Sequence, residues 1–466
     1  MLSLKKAAQP ADEDGKRPRR AGARARQAVM LERQREQQER LQQHRERSTP
    51  RQPDPAPARD DKAPPRHRAA RRIVKHGGGR DLTRVYPIFA SCPQGLEDAL
   101  AAELQALGYE HVKAGRAGCH FHATWTGIMR ANLYSRLATR ILVQLAKAKV
   151  RTEDDILELA RTTPWERWFG PEHTLRVDTS AVRSPMQSLQ YCNLRAKDGI
   201  CDRLRDQEGA RPSIDTVRPD ARVHLFLDSD SATLYLDSTG EALFKRGWRL
   251  DKGAAPLREN LAAGMLALAG WDPAAPLLDP FCGSGTILIE AAWIALGIPP
   301  GISRPFGFER LRDHSHGDWL ALKNDARTHI ATELDNPLLG YDTDPAALQA
   351  ARQNLKRARL APGLIRFEEG DARTVRPPAT PQPGWIVTNP PYGERLDDAD
   401  DTLWQDWASN LKQHYNGWNV NVISSDLELP RALRLKPLRR HPLYNGALDC
   451  RLFNFEMVAA SYRATP

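Results

Sequence analysis

The sequence is short of cysteine, of long apolar runs and of nucleotide-triphosphate signatures, and each shortage excludes something. Its six cysteines, Cys92, Cys119, Cys192, Cys201, Cys282 and Cys450, are scattered with no CxxC pair. That spacing argues against a zinc site or a disulfide framework, so no metal is expected. No stretch approaches the ~20 apolar residues that span a bilayer, so no membrane partner is expected. A secretory leader is lacking, and Asp12, Glu13 and Asp14 with scarce serine argue against a transit peptide. A reducing cytosol fits best, and the localisation expected is cytoplasmic. No GxxxxGK[ST] string occurs, which removes support for nucleotide-triphosphate hydrolysis.

What is present is basic and unevenly spread. The net charge is +10 over 466 residues. Residues 1–80 hold 22 Lys/Arg against 10 Asp/Glu, leaving 46 against 48 for the remainder. The basicity is an appendage on a near-neutral body, and such an arm suits a polyanion, most commonly nucleic acid. Residues 24–47 are Arg, Gln and Glu with almost no apolar stripe. Residues 48–80 are rich in Pro, Ala and Arg and end in Gly77-Gly78-Gly79, so 1–80 reads as a basic disordered arm.

Folded structure is expected from about Val85. A strand near 86–90, a helix over 96–107 stopped by Gly108, an alternating strand over 119–123 and a helix over 128–142 make an α+β unit. Strands at 174–178, 223–228 and 232–237 enclose a basic helix over 191–205 in a second α+β stretch. Beyond Gly240 short apolar strands (277–278, 385–388, 420–423) alternate with helices. That texture predicts an α/β, doubly wound parallel sheet.

Four runs carry chemistry, each at a strand end. In Asp279-Pro-Phe-Cys-Gly-Ser-Gly-Thr286, Gly283 and Gly285 permit a turn tight enough for a ligand to approach main-chain N–H groups at a helix start. Leu288 stands where the third glycine of GxGxxG belongs, so the dinucleotide fingerprint is not met. Asp342 ends the strand after 337–339 and suits ribose hydroxyls, with Asp342 or Asp344 also able to cap the next helix. Asp371 follows the strand 364–367 and could accept from an adenine amino group or simply form a turn. Asn389-Pro390-Pro391-Tyr392 closes the strand 385–388. Two prolines there fix the direction of the Pro390 carbonyl, Asn389 sets an amide oxygen beside it, and Tyr392 offers a stacking ring. Two adjacent acceptors match a planar amino group that donates two hydrogens.

The succession of glycine turn, two acidic strand ends and NPPY resembles the class I S-adenosylmethionine methyltransferases that act on amino groups. Further runs extend the likeness over residues 86–458: 89–97, 135–140, 245–249, 255–262, 279–290, 389–396 and 446–450. With them the chain resembles the THUMP-domain RNA methyltransferases, and within these the N2-guanine half of the bifunctional 23S rRNA enzymes of bacteria. The resemblance implies a Rossmann-like methyltransferase domain (241–466) preceded by a ferredoxin-like segment (81–126) and a THUMP domain (127–240). It implies S-adenosyl-L-methionine as cofactor, with Pro256, Asp279, Cys282, Gly283, Gly285, Thr286, Asp342, Asp371 and Asn389 around it. Asn389, Pro390 and Tyr392 become the catalytic set. Arg183, Arg195, Lys197 and Arg203 become phosphate contacts on an RNA partner, 23S rRNA or a large-subunit precursor, with no DNA expected. The second activity of the fusion, 7-methylguanosine formation, is expected to be absent from a sequence that stops at Pro466. Rival readings are N2-guanine methylation of tRNA, N6-adenine methylation of DNA, glutamine methylation of a release factor, and a non-catalytic RNA-binding assembly factor.

Overall fold

The computed structural model describes residues 83–250, 257–312, 314–391 and 402–458. The arm over 1–80, Pro256 and Tyr392 lie outside these residues. Two sheets organise the rest.

The first sheet has eight strands in the order β2-β3-β1-β4-β8-β7-β5-β6. These are β1 (Tyr86–Ser91), β2 (Lys113–Gly115), β3 (Gly118–Ala123), β4 (Arg140–Lys149), β5 (Thr174–Ala181), β6 (Ser213–Ile214), β7 (Ala221–Leu227) and β8 (Ser231–Asp237). Helices α1 (Glu97–Ala106), α2 (Trp125–Tyr134), α3 (Glu153–Thr162) and α4 (Leu189–Glu208) accompany them. Local chemistry sets the bounds. Thr152 and Asp155 form a capping box at the start of α3. Ser188 caps α4, which stops at Gly209 in the left-handed region. Along β7 every second residue is buried, the period of a strand with one covered face.

The expected helix over 128–142 is corrected here. It ends at Tyr134, and Arg140–Lys149 is a strand. β4 pairs antiparallel with β1 on one edge and with β8 on the other. Two ladders and the β-branched pair Ile141 and Val143 override the helical spacing. Through β4 the two α+β stretches share one sheet.

The second sheet runs β11-β10-β9-β12-β13-β15-β14. Its strands are β9 (Leu277–Asp279), β10 (Leu338–Asp342), β11 (Ile365–Glu369), β12 (Trp385–Thr388), β13 (Asn419–Ser424), β14 (Arg439–Asn445) and β15 (Leu448–Glu456). The helices are α5 (Glu259–Leu268), α6 (Thr286–Ala295), α7 (His316–Thr328), α8 (Pro345–Arg357), α9 (Leu403–His414) and the short α10 (Leu429–Ala432). β9 to β13 are parallel, and β14 and β15 form an antiparallel hairpin appended to β13. Neighbouring strand residues feed opposite cores: Leu277, Leu338 and Val387 pack on one face, Leu278, Leu339 and Ile386 on the other. Helices therefore cover both faces. Strand order reverses between β9 and β12, so a switch-point crevice opens beyond their carboxyl ends.

Buried charge ties the two sheets together. Arg246 and Glu290 are fully buried and pair at 3.2 Å. Arg246 also donates to the carbonyls of Leu243 and Arg136, at 2.7 and 2.6 Å. The Arg136 guanidinium donates to the carbonyls of Trp293 and Ile298, and Glu103 accepts from Ser135 Oγ and the Arg136 amide. Among the described residues no helix is long and apolar enough to cross a membrane.

Candidate active site

The crevice is built by four strand ends. Asp279 closes β9 and is 1% exposed. Its Oδ1 accepts from the Thr388 hydroxyl at 2.6 Å and the Phe281 amide at 3.2 Å. Burial pushes the Asp279 carboxyl up to about 7, and the nearby Asp342 charge adds to this. The Thr388 contact joins the ends of two adjacent strands and sets the point from which Asn389 departs.

The turn after β9 is held by its own backbone. The Cys282 amide donates to the Tyr341 carbonyl at 2.9 Å, and the Gly285 amide to the Cys282 carbonyl at 2.8 Å. Cys282 is buried, which pushes its thiol well up. The Gly283 amide donates to Asp342 Oδ2 at 2.8 Å. Gly283 and Gly285 have φ of +52° and +78°, values that favour glycine. A Cβ on Gly285 would sit 2.8 Å from the Phe367 ring, whereas one on Gly283 would meet nothing within 4 Å. The inner side of the turn is packed and its outer side is open. No side chain caps α6, which starts at the buried Thr286. Its first N–H groups thus lack an intrahelical partner, as a ligand-binding helix start requires.

The remaining predicted cofactor residues divide. Asp344 accepts from the Ala346 amide and caps α8, which leaves Asp342 to face the glycine turn. Asp342 Oδ1 accepts from the Asp344 amide at 3.0 Å, and lone pairs on both oxygens remain available. Asp371 is held within its own loop: Arg373 donates to it from the amide at 2.8 Å, from Nε at 2.9 Å and from Nη2 at 2.5 Å. The Arg373 guanidinium keeps that carboxyl below its usual range.

Asn389 and Pro390 follow β12, half-buried and buried respectively. The Asn389 Oδ1 atom is buried and has no hydrogen-bond partner among the described residues. An orphaned acceptor at a switch-point crevice is what an incoming amino group would satisfy. Residues 246–454 match the family model described as "RMKL-like, methyltransferase domain". Residues 87–142 match the RlmL ferredoxin-like domain and 150–237 the THUMP domain.

The chain belongs to the THUMP-domain methyltransferases.

Within this family it is 41% identical over 378 residues to the ribosomal RNA large subunit methyltransferase K/L of Methylococcus capsulatus. That match covers 79% of this chain and 51% of the relative, so the chain spans about half the length of the curated relatives it matches. A possible methylase from Clostridium difficile 630 is 30% identical with a TM-score of 0.74, covering 80% of this chain and 98% of that one. A putative methyltransferase crystallised with SAH is 26% identical with a TM-score of 0.73, covering 80% and 98%.

The sequence reading did not single out two residues of this crevice, Thr388 and Phe281. Thr388 is the hydroxyl that braces Asp279. Phe281 packs edge-on to Trp407 with centroids 5.3 Å apart and lies 6.4 Å from the half-buried Trp404. Phe281 lies inside the glycine-turn run and Thr388 directly precedes Asn389, so sequence adjacency was the available signal. The four basic residues predicted to meet RNA lie away from this crevice, on α4 and after β5. Arg203 pairs with Glu166 at 2.6 Å, Lys197 with Asp198 at 2.8 Å, and Arg195 with Asp154. Arg183 is exposed, at a φ of +56°, with no ion-pair partner among the described residues.

Proposed function

We propose that the protein transfers a methyl group from S-adenosyl-L-methionine to the exocyclic N2 of a guanine in large-subunit (23S) rRNA or its precursor. One observation carries this reading: the buried Asn389 oxygen at the end of β12, without a partner among the described residues and braced through Thr388 to Asp279. The names borne by its relatives support rRNA as the substrate. The donor's site fits the residues present. The open turn at Gly283, the uncapped start of α6 and the Asp342 carboxylate suit a nucleoside with a cationic tail. Pro256 and Asp371 are assigned to the same donor site.

When bound, S-adenosylmethionine supplies an electrophilic methyl group on a sulfonium. The protein's own groups do the rest. Asn389 Oδ1 and the Pro390 carbonyl accept the two N2 hydrogens of a guanine removed from its stack. This draws the nitrogen from planarity and leaves its lone pair directed at the methyl carbon. Tyr392 stacks on the base. The N–C bond forms as the S–C bond breaks, and one N2 proton leaves to water. Positioning and preorganised acceptors for a nitrogen gaining positive charge supply the rate. We assign residues 81–240 to RNA capture, with Arg183, Arg195, Lys197 and Arg203 at phosphates, and 241–466 to chemistry in the cytoplasm.

Asn389→Ala should lower methyl transfer to large-subunit rRNA by about a thousandfold, while S-adenosylmethionine binding by calorimetry stays within a few-fold of wild type. Wild-type turnover in that variant would overturn the assignment.

A further inference from the structure

Two runs noted in the sequence, 89–97 and 446–450, have no part in methyl transfer as described, and a third, 255–262, enters it only through Pro256. The structure brings all three to one pocket of about 220 Å³, lined by Pro93, Gln94, Arg258, Leu261, Tyr444 and Gly446. Its position is set by topology. In the β14–β15 hairpin, β15 begins three residues before Arg451, which pairs with Ser424 at the carboxyl end of β13. The hairpin tip at Gly446 therefore projects about 10 Å past that end. Helix α5 runs the opposite way. The Ala269 carbonyl just after it accepts from Trp385 at the start of β12, so Arg258 at its N-terminus stands at the crevice end. Strand spacing puts the pocket roughly 15 Å from Asn389 along the same rim.

The pocket is preformed. A Cβ on Gly95 would lie 2.0 Å from the Pro442 carbonyl oxygen, and one on Gly264 would lie 2.5 Å from Leu96. The loop 93–97 is thus seated against β14 and α5 with no slack. Glu97 clamps it by accepting from the amides of Gly95 and Ala117, at 2.7 and 3.0 Å. Gly446, at φ +66°, makes the two-residue turn that lifts Tyr444 to the rim.

The lining chemistry is that of a base slot. Pro93 and Leu261 form apolar walls, and Tyr444 offers a ring and a hydroxyl. Gln94 and Arg258 are exposed and carry hydrogen-bonding edges. The Arg258 guanidinium lies 4.9 Å over the Phe244 ring and has no ion-pair partner among the described residues. Among the described residues no carboxylate lines the pocket. The neighbouring Glu259 is buried against Arg249 at 3.7 Å, and Asp449, opposite Tyr444, is held by Arg451. The volume is below that of a drug-sized ligand site, roughly 300–1,000 Å³, and suits one ring system. Splayed bases of single-stranded RNA are held by such a combination of aromatic ring, Arg and amide.

We propose that this pocket holds an unpaired base one or two nucleotides from the methylated guanine, reading it through Gln94 and Arg258 and stacking it on Tyr444. The proposal rests on the RNA-guanine reading above. It makes the ferredoxin-like segment a part of substrate selection, because Pro93 and Gln94 close one wall.

The test uses the full chain with large-subunit rRNA transcribed in vitro, and tRNA transcripts in a parallel arm. Initial rates against RNA concentration are measured for wild type, Gln94→Ala, Arg258→Ala, Tyr444→Ala and Tyr444→Phe, with S-adenosylmethionine affinity by calorimetry. Arg258→Ala and Tyr444→Ala should raise the KM for the methylated RNA at least about fivefold, with kcat changing less than KM. Cofactor affinity should stay within twofold, and Tyr444→Phe should keep most of the wild-type KM. Gln94 and Arg258 are exposed, so their variants remain informative if Tyr444→Ala fails to fold. An unchanged KM in both, with wild type active, overturns the pocket and leaves the guanine reading intact. A parallel loss of cofactor affinity also overturns it, by giving the pocket to the donor. Wild type inactive on both RNAs overturns both readings.

Discussion

Among the described residues the buried Asn389 oxygen has no partner, a condition that costs a fold about 1–3 kcal/mol. Removing that oxygen should therefore not destabilise the protein: the melting temperature of Asn389→Ala should equal or exceed that of wild type as transfer is lost. The Asp279–Thr388 contact is different in kind. Thr388→Val strips a donor from a buried carboxyl, and should lower stability by about 1–3 kcal/mol by denaturant unfolding and lower kcat by loosening Asn389. Asp279 also has a pH signature. Its folded-state value of about 7 lies above the ordinary 3.8, so its contribution is fully present below about pH 4 and is lost as pH rises through 7. Asp279→Asn removes the titration. Its stability relative to wild type should be greater at pH 8 than at pH 5, by no more than about 3 kcal/mol; a difference independent of pH would contradict the assignment. Asn389, Gly283 and Asp342 were legible because a strand end followed by a breaker or carboxylate is a local pattern. The Thr388 brace was not, because it exists only once β9 and β12 are neighbours.

At the scale of elements, the glycine turn is the part with least tolerance. Gly285→Ala would force a Cβ to 2.8 Å from the Phe367 ring at a φ of +78°. We expect a loss of about 1–3 kcal/mol in unfolding free energy together with weakened donor binding. Gly283→Ala carries only the backbone strain. The doubly wound sheet was readable from short apolar strands alternating with helices, and the structure places them as the texture implies. The error at 128–142 has a physical cause. Ile141, Leu142 and Val143 continue a helical spacing, but two ladders claim them for β4, and strand pairing across about 50 residues to β1 and about 95 to β8 is invisible to a local period. The β14–β15 hairpin is likewise a product of long-range pairing, and it brings Tyr444 to the crevice rim.

For the whole molecule, the two sheets meet across buried charge. Arg246→Ala leaves the buried Glu290 with only the more distant Arg136, at 4.0 Å, and should cost roughly 3–5 kcal/mol. Arg246→Met with Glu290→Leu should recover most of that loss in thermal unfolding. The arm over 1–80 carries 22 Lys/Arg against 10 Asp/Glu. Its removal should flatten the dependence of RNA affinity on salt, whose slope scales with phosphates neutralised; an unchanged slope would make the arm a bystander. The account turns on which atom is methylated. Large-subunit rRNA incubated with the protein and S-adenosylmethionine, then digested to nucleosides for mass spectrometry, reads this directly. The account predicts N2-methylguanosine with wild type and none with Asn389→Ala. N6-methyladenosine, 7-methylguanosine or an unmethylated digest would contradict it.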